Sequence, residues 1–356
     1  MERPHNFSAG PCILPLEVFE KASQSVIDLD GSGLSILEIS HRSSAFVEVM
    51  EKARSLALEH LNLQNKGYKA LFMQGGASMQ FLTTAYNLLE KKAGYLDTGT
   101  WASNAIKEAK NFGEIEIVAS SKESNYNFIP KNYSIPQGLD YMHCTSNNTI
   151  YGTQMKSFPD SDETPLICDM SSDIFSRDLD FSRFGLIYAG AQKNMGPAGA
   201  TLVVVKEDIL GKVSRTIPSM MDYKLFIKKE SMFNTPPVFS VYVSMLTLEW
   251  LSRNGGVSAQ EKKNRAKSEL IYSEIDRNSL FEGFTGKEDR SMMNATFTLN
   301  DESLASRFDE LWKSANINGL HGHRSVGGYR ASMYNALPLE SVEVLVDVMK
   351  HFEKTL

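Results

Sequence analysis

Five short apolar runs, each closed by turn-forming residues, set the strongest constraint on how this chain folds: residues 70–73, 115–118, 166–168, 186–188 and 201–205. Runs this short and this apolar suit strands buried on both faces, the position strands take in a parallel sheet. Between and beyond them apolar residues recur at helical spacing, as in Phe46, Val49, Met50, Ala53, Leu56, Ala57 and Leu61, and again in Val342, Leu345, Val346, Met349 and Phe352. The alternation predicts an α/β fold with an open, mostly parallel sheet covered by helices on both faces. Ligands of such sheets collect at the carboxyl ends of the strands, so the loops after the strands carry the chemistry.

Arg253-Asn254-Gly255-Gly256 interrupts this rhythm, and the sequence beyond it is more charged, with a long helix expected near 257–278 and a strand near Thr296. These features predict a large domain over residues 16–252 and a smaller α+β domain built from 1–15 and 253–356. The formal net charge is −6, and no long Lys/Arg block occurs, which argues against a nucleic-acid or membrane-surface binder. The uncharged stretch 70–89 is long enough to span a bilayer but is broken by Gln74, Gly75, Gly76, Ser78, Gln80 and Asn87. Residues 1–15 hold Glu2, Arg3, His5 and three prolines in place of a secretory core, so a cytoplasmic location is expected. Cys12, Cys144 and Cys168 form no C-x-x-C pair and read as reduced core thiols. His321 and His323 have neither an H-E-x-x-H pattern nor a nearby cysteine, so no metal site is expected.

The segment Ala189-Gly190-Ala191-Gln192-Lys193-Asn194-Met195-Gly196-Pro197 sets a lysine among small residues directly after the run at 186–188, within reach of a ligand. At a reference pKa of about 10.4, roughly one lysine in 2,500 is neutral at pH 7, so a nucleophilic Lys193 needs activation or must already be held as a Schiff base. A solvated surface lysine is the plain alternative. Asp169 ends the run at 166–168, where a carboxylate is costly to bury unless it meets a cation. The pyridinium nitrogen of pyridoxal phosphate (PLP) is such a cation, and a cap on the turn at Ser171 and Ser172 is the competing role. Gln74-Gly75-Gly76-Ala77-Ser78 opens a helix whose glycines admit close backbone approach and whose free N–H groups attract phosphate, although it fits neither the dinucleotide fingerprint nor the P-loop. Trp101, in Asp97-Thr98-Gly99-Thr100-Trp101, either stacks on an aromatic cofactor or packs in the core. His41-Arg42, and His321-Gly322-His323-Arg324 with Arg330 beyond, suit carboxylate or phosphate recognition, or surface ion pairing.

In order along the chain, Asn6-Phe7-Ser8-Ala9-Gly10-Pro11, Gly75-Gly76, Ala191-Gln192-Lys193-Asn194, Asn234-Thr235-Pro236-Pro237, Gly322-His323-Arg324 and Gly327-Gly328-Tyr329-Arg330 together resemble the phosphoserine aminotransferases over essentially the whole sequence. That resemblance implies a PLP-dependent enzyme of fold type I, class V, with the aspartate-aminotransferase-like fold, working as a homodimer whose active sites lie at the subunit interface. It implies transfer of an amino group from L-glutamate to 3-phosphohydroxypyruvate, giving O-phospho-L-serine and 2-oxoglutarate in serine biosynthesis. In many bacteria of the family, 4-phosphohydroxy-L-threonine is also formed on the route to vitamin B6. By the same resemblance Lys193 is the Schiff-base lysine, Asp169 the partner of the pyridine nitrogen, Trp101 the stacking ring and Thr149 the contact to the ring hydroxyl. Ala77 and Ser78 hold the cofactor phosphate, helped by Gln192 and by Asn234 and Thr235 from the partner subunit. Arg330 clamps the substrate α-carboxylate, and His41, Arg42, His323 and Arg324 take the phosphate or the glutamate side chain. Ser78 stands where some relatives carry Arg, which leaves a backbone contact at that point.

Three rivals are separable by sequence. A cysteine desulfurase needs a reactive cysteine downstream of the lysine, and all three cysteines precede Lys193. Alanine-glyoxylate or serine-pyruvate transamination does not call for two His-Arg clusters. A non-catalytic anion- or nucleotide-binding module does not call for Lys193 and Asp169 together.

Overall fold

The computed structural model describes residues 3–356. Its central sheet has seven strands: β1 (Tyr68–Gln74), β2 (Lys92–Asp97), β3 (Glu114–Ser120), β4 (Tyr141–Thr145), β5 (Leu166–Asp169), β6 (Phe184–Gly190) and β7 (Ala200–Lys206). Their spatial order is β1-β7-β6-β5-β4-β2-β3. All the expected runs are strands, and the sheet is mostly parallel with helices on both faces.

Two strands depart from the sequence expectation. The run at 201–205 is not parallel: β7 lies antiparallel to both β1 and β6. The connection 191–199 is too short for the crossover of a dozen or more residues that a parallel return needs, so the chain reverses instead. The run at 115–118 is not buried: β3 is an edge strand, with Glu114 and Glu116 alternating with Ile115 and Ile117. Ile117 is 46% exposed.

One face of the sheet is covered by α1 (Leu16–Ile27), α2 (Ser44–His60) and α6 (Val238–Arg253), the other by α3 (Ala77–Leu88) and α4 (Thr100–Ala109). Helix α2 starts where Ser43 accepts the N–H of Phe46 through its hydroxyl, and its expected apolar stripe faces the sheet. Phe46, fully buried against this face, contributes on the order of 1.5–3 kcal/mol. Helix α6 is buried continuously from Val241 to Leu248, apolar on almost every side, so it carries no amphipathic stripe.

Beyond α6 lie α7 (Gly256–Arg277), a three-stranded antiparallel sheet of β8 (Phe281–Gly283), β9 (Asn294–Leu299) and β10 (Tyr329–Ser332), and helices α8 (Ala305–Ser314) and α9 (Leu339–Lys354). Ile271, Phe281, Phe297, Phe308 and Phe352 form a core of their own here. Phe7 and Ile13 pack into it, and His5–Asn6 pairs in parallel with Ile317–Asn318. No helix among the described residues is long and apolar enough to cross a membrane.

Candidate active site

The carboxyl ends of β1, β2, β4, β5 and β6 open on one edge of the sheet, and the loops that leave them hold most of the chemistry-bearing residues. After β1 the chain turns at Gly75, whose φ of +92° is a conformation that glycine adopts without strain. Gly75 N–H donates to Gly199 O at 3.2 Å, and the Thr201 hydroxyl donates to Gly75 O at 2.9 Å, so the start of β7 pins the turn. Helix α3 then begins at Gly76 with no side-chain cap. The N–H groups of Ala77 and exposed Ser78 are thus left to an external acceptor, at the positive end of the helix dipole.

Lys193 sits in the single-turn helix α5 (Ala191–Asn194) that follows β6. Its Nζ donates to Thr149 Oγ1 at 2.9 Å and lies 5.3 Å from the centroid of the Trp101 ring. Asp169, at the tip of β5, is 5% exposed, and its Oδ1 accepts from Ser171 N–H at 2.9 Å. No ion pair joins Lys193 to Asp169 among the described residues, so the two charges sense each other across a gap. Burial raises the Asp169 pKa, against the pull of the Lys193 ammonium; burial likewise lowers the Lys193 pKa, against Asp169. In both, the cost of desolvation exceeds the attraction, which favours an amine able to act as nucleophile or base. Asp169 does cap the turn by accepting the Ser171 N–H, so this structural role coexists with its place beside Lys193.

Arg330, on β10, reaches into the same space: its Nη1 donates to Thr149 O at 3.4 Å and its Nε is buried without a partner. Burial lowers its pKa. His323 lies within the field of Arg330 and Arg324, its pKa lowered first by burial and then by those two cations, and its Nδ1 is 2.7 Å from Ser325 Oγ. Arg324 is exposed. Lys193, Thr149, Trp101, Asp169, Arg330 and His323 are therefore linked into one group by contacts and by the charges they sense.

Other candidates stand apart from Lys193 within the chain. His41 has a buried Nε2 without a partner, Arg42 is exposed, and neither bonds to the Lys193 group. Asn234 and Thr235 are exposed, and the Thr235 carbonyl accepts from the Gln74 side-chain amide beside the α3 turn. Gln192 gives its carbonyl to Cys12 N–H at 3.1 Å.

Cys12 corrects the expectation of three core thiols. Cys144 and Cys168 are buried, but Cys12 is half-buried, and its thiol donates to the carbonyl of Lys193 itself. Burial pushes its pKa up to about 12, so it stays a thiol. With Gly10, whose Cα hydrogen faces the Lys193 side chain, it forms the N-terminal wall of the site. Sequence reasoning also passes over Tyr334, whose hydroxyl donates to Ala9 O at 2.7 Å, and the buried Asp173–Arg177 pair. The spacing of Asp173 and Arg177, four residues apart just after Asp169, is the signal that was available. No cluster of three or more metal-ligating side chains occurs among the described residues, and His321 pairs with Asp309 at 3.1 Å.

These residues fit a planar, phosphorylated, ring-nitrogen cofactor. An uncapped helix start offers N–H groups to a phosphate, a buried carboxylate without a cation bonded to it awaits a ring nitrogen, and an indole whose Nε1 is buried and unpartnered borders the amine.

Comparison with known proteins agrees with this geometry. The sequence model of the family described as aminotransferase class-V matches residues 5–345. The phosphoserine aminotransferase of Flavobacterium psychrophilum is 68% identical over 353 residues, covering 99% of this chain and 99% of that protein. Among solved structures, phosphoserine aminotransferase from Bacillus circulans subsp. alkalophilus is 45% identical with a TM-score of 0.96, covering 100% of this chain and 99% of that one. A PLP-bound phosphoserine aminotransferase from Trichomonas vaginalis is 34% identical with a TM-score of 0.92, covering 98% and 100%.

Proposed function

The chain belongs to the class-V aminotransferases, and from that premise we propose how its residues carry out their reaction. It is a PLP-dependent enzyme with phosphoserine aminotransferase activity. When bound, the cofactor supplies an aldehyde carbon that receives the amino group of one substrate and an electron-accepting ring that lets the group pass to another.

In our assignment Ala77 and Ser78 donate their backbone N–H groups to the cofactor phosphate, with Gln192 beside them and Asn234 and Thr235 contributed across a subunit interface. Asp169 would stay ionised as the partner of the ring nitrogen, where a cation would repay its burial. Trp101 would pack against the ring, and Thr149 holds Lys193 Nζ in register. Lys193 takes the Cα proton of the amino donor and returns it on the other side of the transfer; its depressed pKa suits that task. Arg330 receives the α-carboxylate common to L-glutamate and 3-phosphohydroxypyruvate. His41, Arg42, His323 and Arg324 receive the distal phosphate or carboxylate. A homodimer is supported by Leu34, Leu37 and Met79, which are 50%, 63% and 48% exposed and lie close in sequence to His41 and Ser78. We assign residues 16–252 to the large domain, 1–15 with 253–356 to the small one, and the enzyme to the cytoplasm.

One observation carries the assignment: Lys193 Nζ stands bonded to Thr149 and beside Trp101, with Asp169 and Arg330 close by and unpaired with any opposite charge. Borohydride reduction of the PLP-loaded protein should label the peptide holding Lys193. Initial rates with glutamate and 3-phosphohydroxypyruvate should give parallel double-reciprocal lines and exceed those with glyoxylate or pyruvate. Label on another peptide, intersecting lines, or faster turnover of glyoxylate would overturn it.

A further inference from the structure

Four residues beyond Asp169, the Asp173 and Arg177 side chains are 2% and 6% exposed and meet at 3.1 Å, Nη2 to Oδ2. Both oxygens of this carboxylate are engaged within the fold: Oδ1 accepts from Ser146 Oγ, and Oδ2 also accepts from Gln154 Nε2 at 3.1 Å. Arg177 Nη1 donates to Met155 O at 2.8 Å, its guanidinium lies over the Phe158 ring, and its Nε is buried without a partner. A buried ion pair is a poor source of stability, because apolar residues of the same volume usually do as well or better. Its position gives it another use. Ser146 donates its N–H to Asp169 O at 3.0 Å and lies between that carbonyl and Asp173, so the strand tip carrying Asp169 and the ion pair form one bonded unit.

Resting on the assignment above, we propose that Asp173 and Arg177 are a charge-setting pair for the cofactor site, fixing the proton affinity at Lys193 and Asp169 without touching cofactor or substrate. Asp173 is the nearer member: its negative charge acts on both Asp169 and Lys193, raising the proton affinity of each. Arg177 stands behind it and moderates that field. The other charges facing this unit are Lys156, which feels both members, Asp289 beside Lys156, Arg265 and its partner Glu261 on the Arg177 side, and Arg330 on the Lys193 side; the thiols of Cys12 and Cys168 face it as neutral groups.

The test reads the pH titration of the visible absorbance of the cofactor bound at Lys193, in the holoenzyme. A unit charge about 10 Å away at an effective dielectric of about 20 moves such a titration by roughly one pH unit. Asp173→Asn removes the near negative charge and leaves Arg177 unopposed, so the midpoint should fall. Arg177→Met should raise it, and Arg177→Lys should leave it near the native value. The double variant, with no buried charge left to unfold the site, should fall between the native protein and Asp173→Asn. The expected order of midpoints is thus Arg177→Met, native, double variant, Asp173→Asn, from highest to lowest. Shifts of the same sign in both single variants, or no shift in the double variant and either single one, would overturn the proposal. If the native protein shows no titrating chromophore, or borohydride labels a different lysine, it is the assignment of the site that fails instead.

Discussion

Replacing Arg330 by alanine tests our assignment of this one group to the α-carboxylates of both substrates. Arg330 is half-buried, makes one long bond to Thr149 O at 3.4 Å, leaves Nε unpartnered and has no carboxylate within ion-pairing distance among the described residues. A guanidinium held this way has most of its donors pointed at space that a substrate carboxylate would fill. Removing one partner of a desolvated, hydrogen-bonded charge pair costs about 2–5 kcal/mol, or about 30-fold to 4,000-fold in kcat/KM. Because the amino donor and the keto-acid acceptor share the α-carboxylate, Arg330→Ala should lower kcat/KM for both by similar factors. Arg330→Lys keeps the charge but loses the planar fork, so its loss should be intermediate. Stability should move the other way: an unpaired cation loses hydration on burial, and the thermal midpoint of the cofactor-free Arg330→Ala chain should hold or rise. Half-reaction kinetics with each substrate, alongside calorimetry, measure all three. A kcat/KM within threefold of native, a loss confined to one substrate, or a thermal midpoint that falls in step with activity would refute the reasoning.

Further expectations follow from other sites. Arg42→Ala and Arg324→Ala should each reduce turnover of the phosphorylated acceptor more than that of an unphosphorylated analogue, by about 10-fold to 150-fold for one charged hydrogen bond; equal losses for both acceptors would remove them from phosphate recognition. His143 is 1% exposed, stacks on Tyr95 at 4.7 Å and has Nε2 at 2.8 Å from the Tyr188 hydroxyl, and burial lowers its pKa from 6.5 to about 3. The unfolded chain therefore binds the extra proton first, so stability is complete above pH 6.5 and is lost as pH falls toward 3, by about 2 kcal/mol at pH 5. His143→Phe should flatten the decline of the urea midpoint between pH 7 and pH 5, whatever its effect at pH 7; an unchanged slope counts against this account. Gly152 has φ of +77°, and a Cβ there would lie 2.9 Å from Asn294 O and against the Thr296 side chain. Gly152→Ala should cost about 2–5 kcal/mol from backbone strain plus overpacking, read as a lowered thermal midpoint, and an unshifted midpoint would contradict it.

What the sequence showed most clearly were features with a local signature. The apolar runs at 70–73, 166–168 and 186–188 mark strands because each is short, apolar and ends in turn residues, and Lys193, Asp169, Trp101 and Arg330 are found because their chemical types are unusual in such places. Strand direction has no such signature. The run at 201–205 looks the same whether it runs up or down the sheet, and only the length of the 191–199 connection distinguishes the two. Strand β4 is hard to see because His143 and Thr145 interrupt its apolar character, though both are buried. Helix α6 is hard to see for the opposite reason: it is surrounded by protein, so no polar face marks its period. The Asp173–Arg177 pair reads as an ordinary i, i+4 surface bridge until the fold encloses it. Asn234 and Thr235, which we assign to a site across a subunit boundary, illustrate a further limit, since a residue with such a task would leave no trace of it in the contacts of its own chain.

The reversed strand β7 sets a length standard for the whole catalytic edge. Ala200 is paired with Gln74, and Thr201 with both Met73 and Gly190, so the turn we assign to the cofactor phosphate and the lysine loop are gauged from one ladder of hydrogen bonds. A slip of two residues along that ladder would displace one end of the cofactor from the other by about 7 Å, more than the molecule can stretch. Insertions and deletions inside β1, β6 or β7, which would force such a slip, are therefore opposed by metrology as much as by packing, whereas at an edge such as β3 no two ends have to agree.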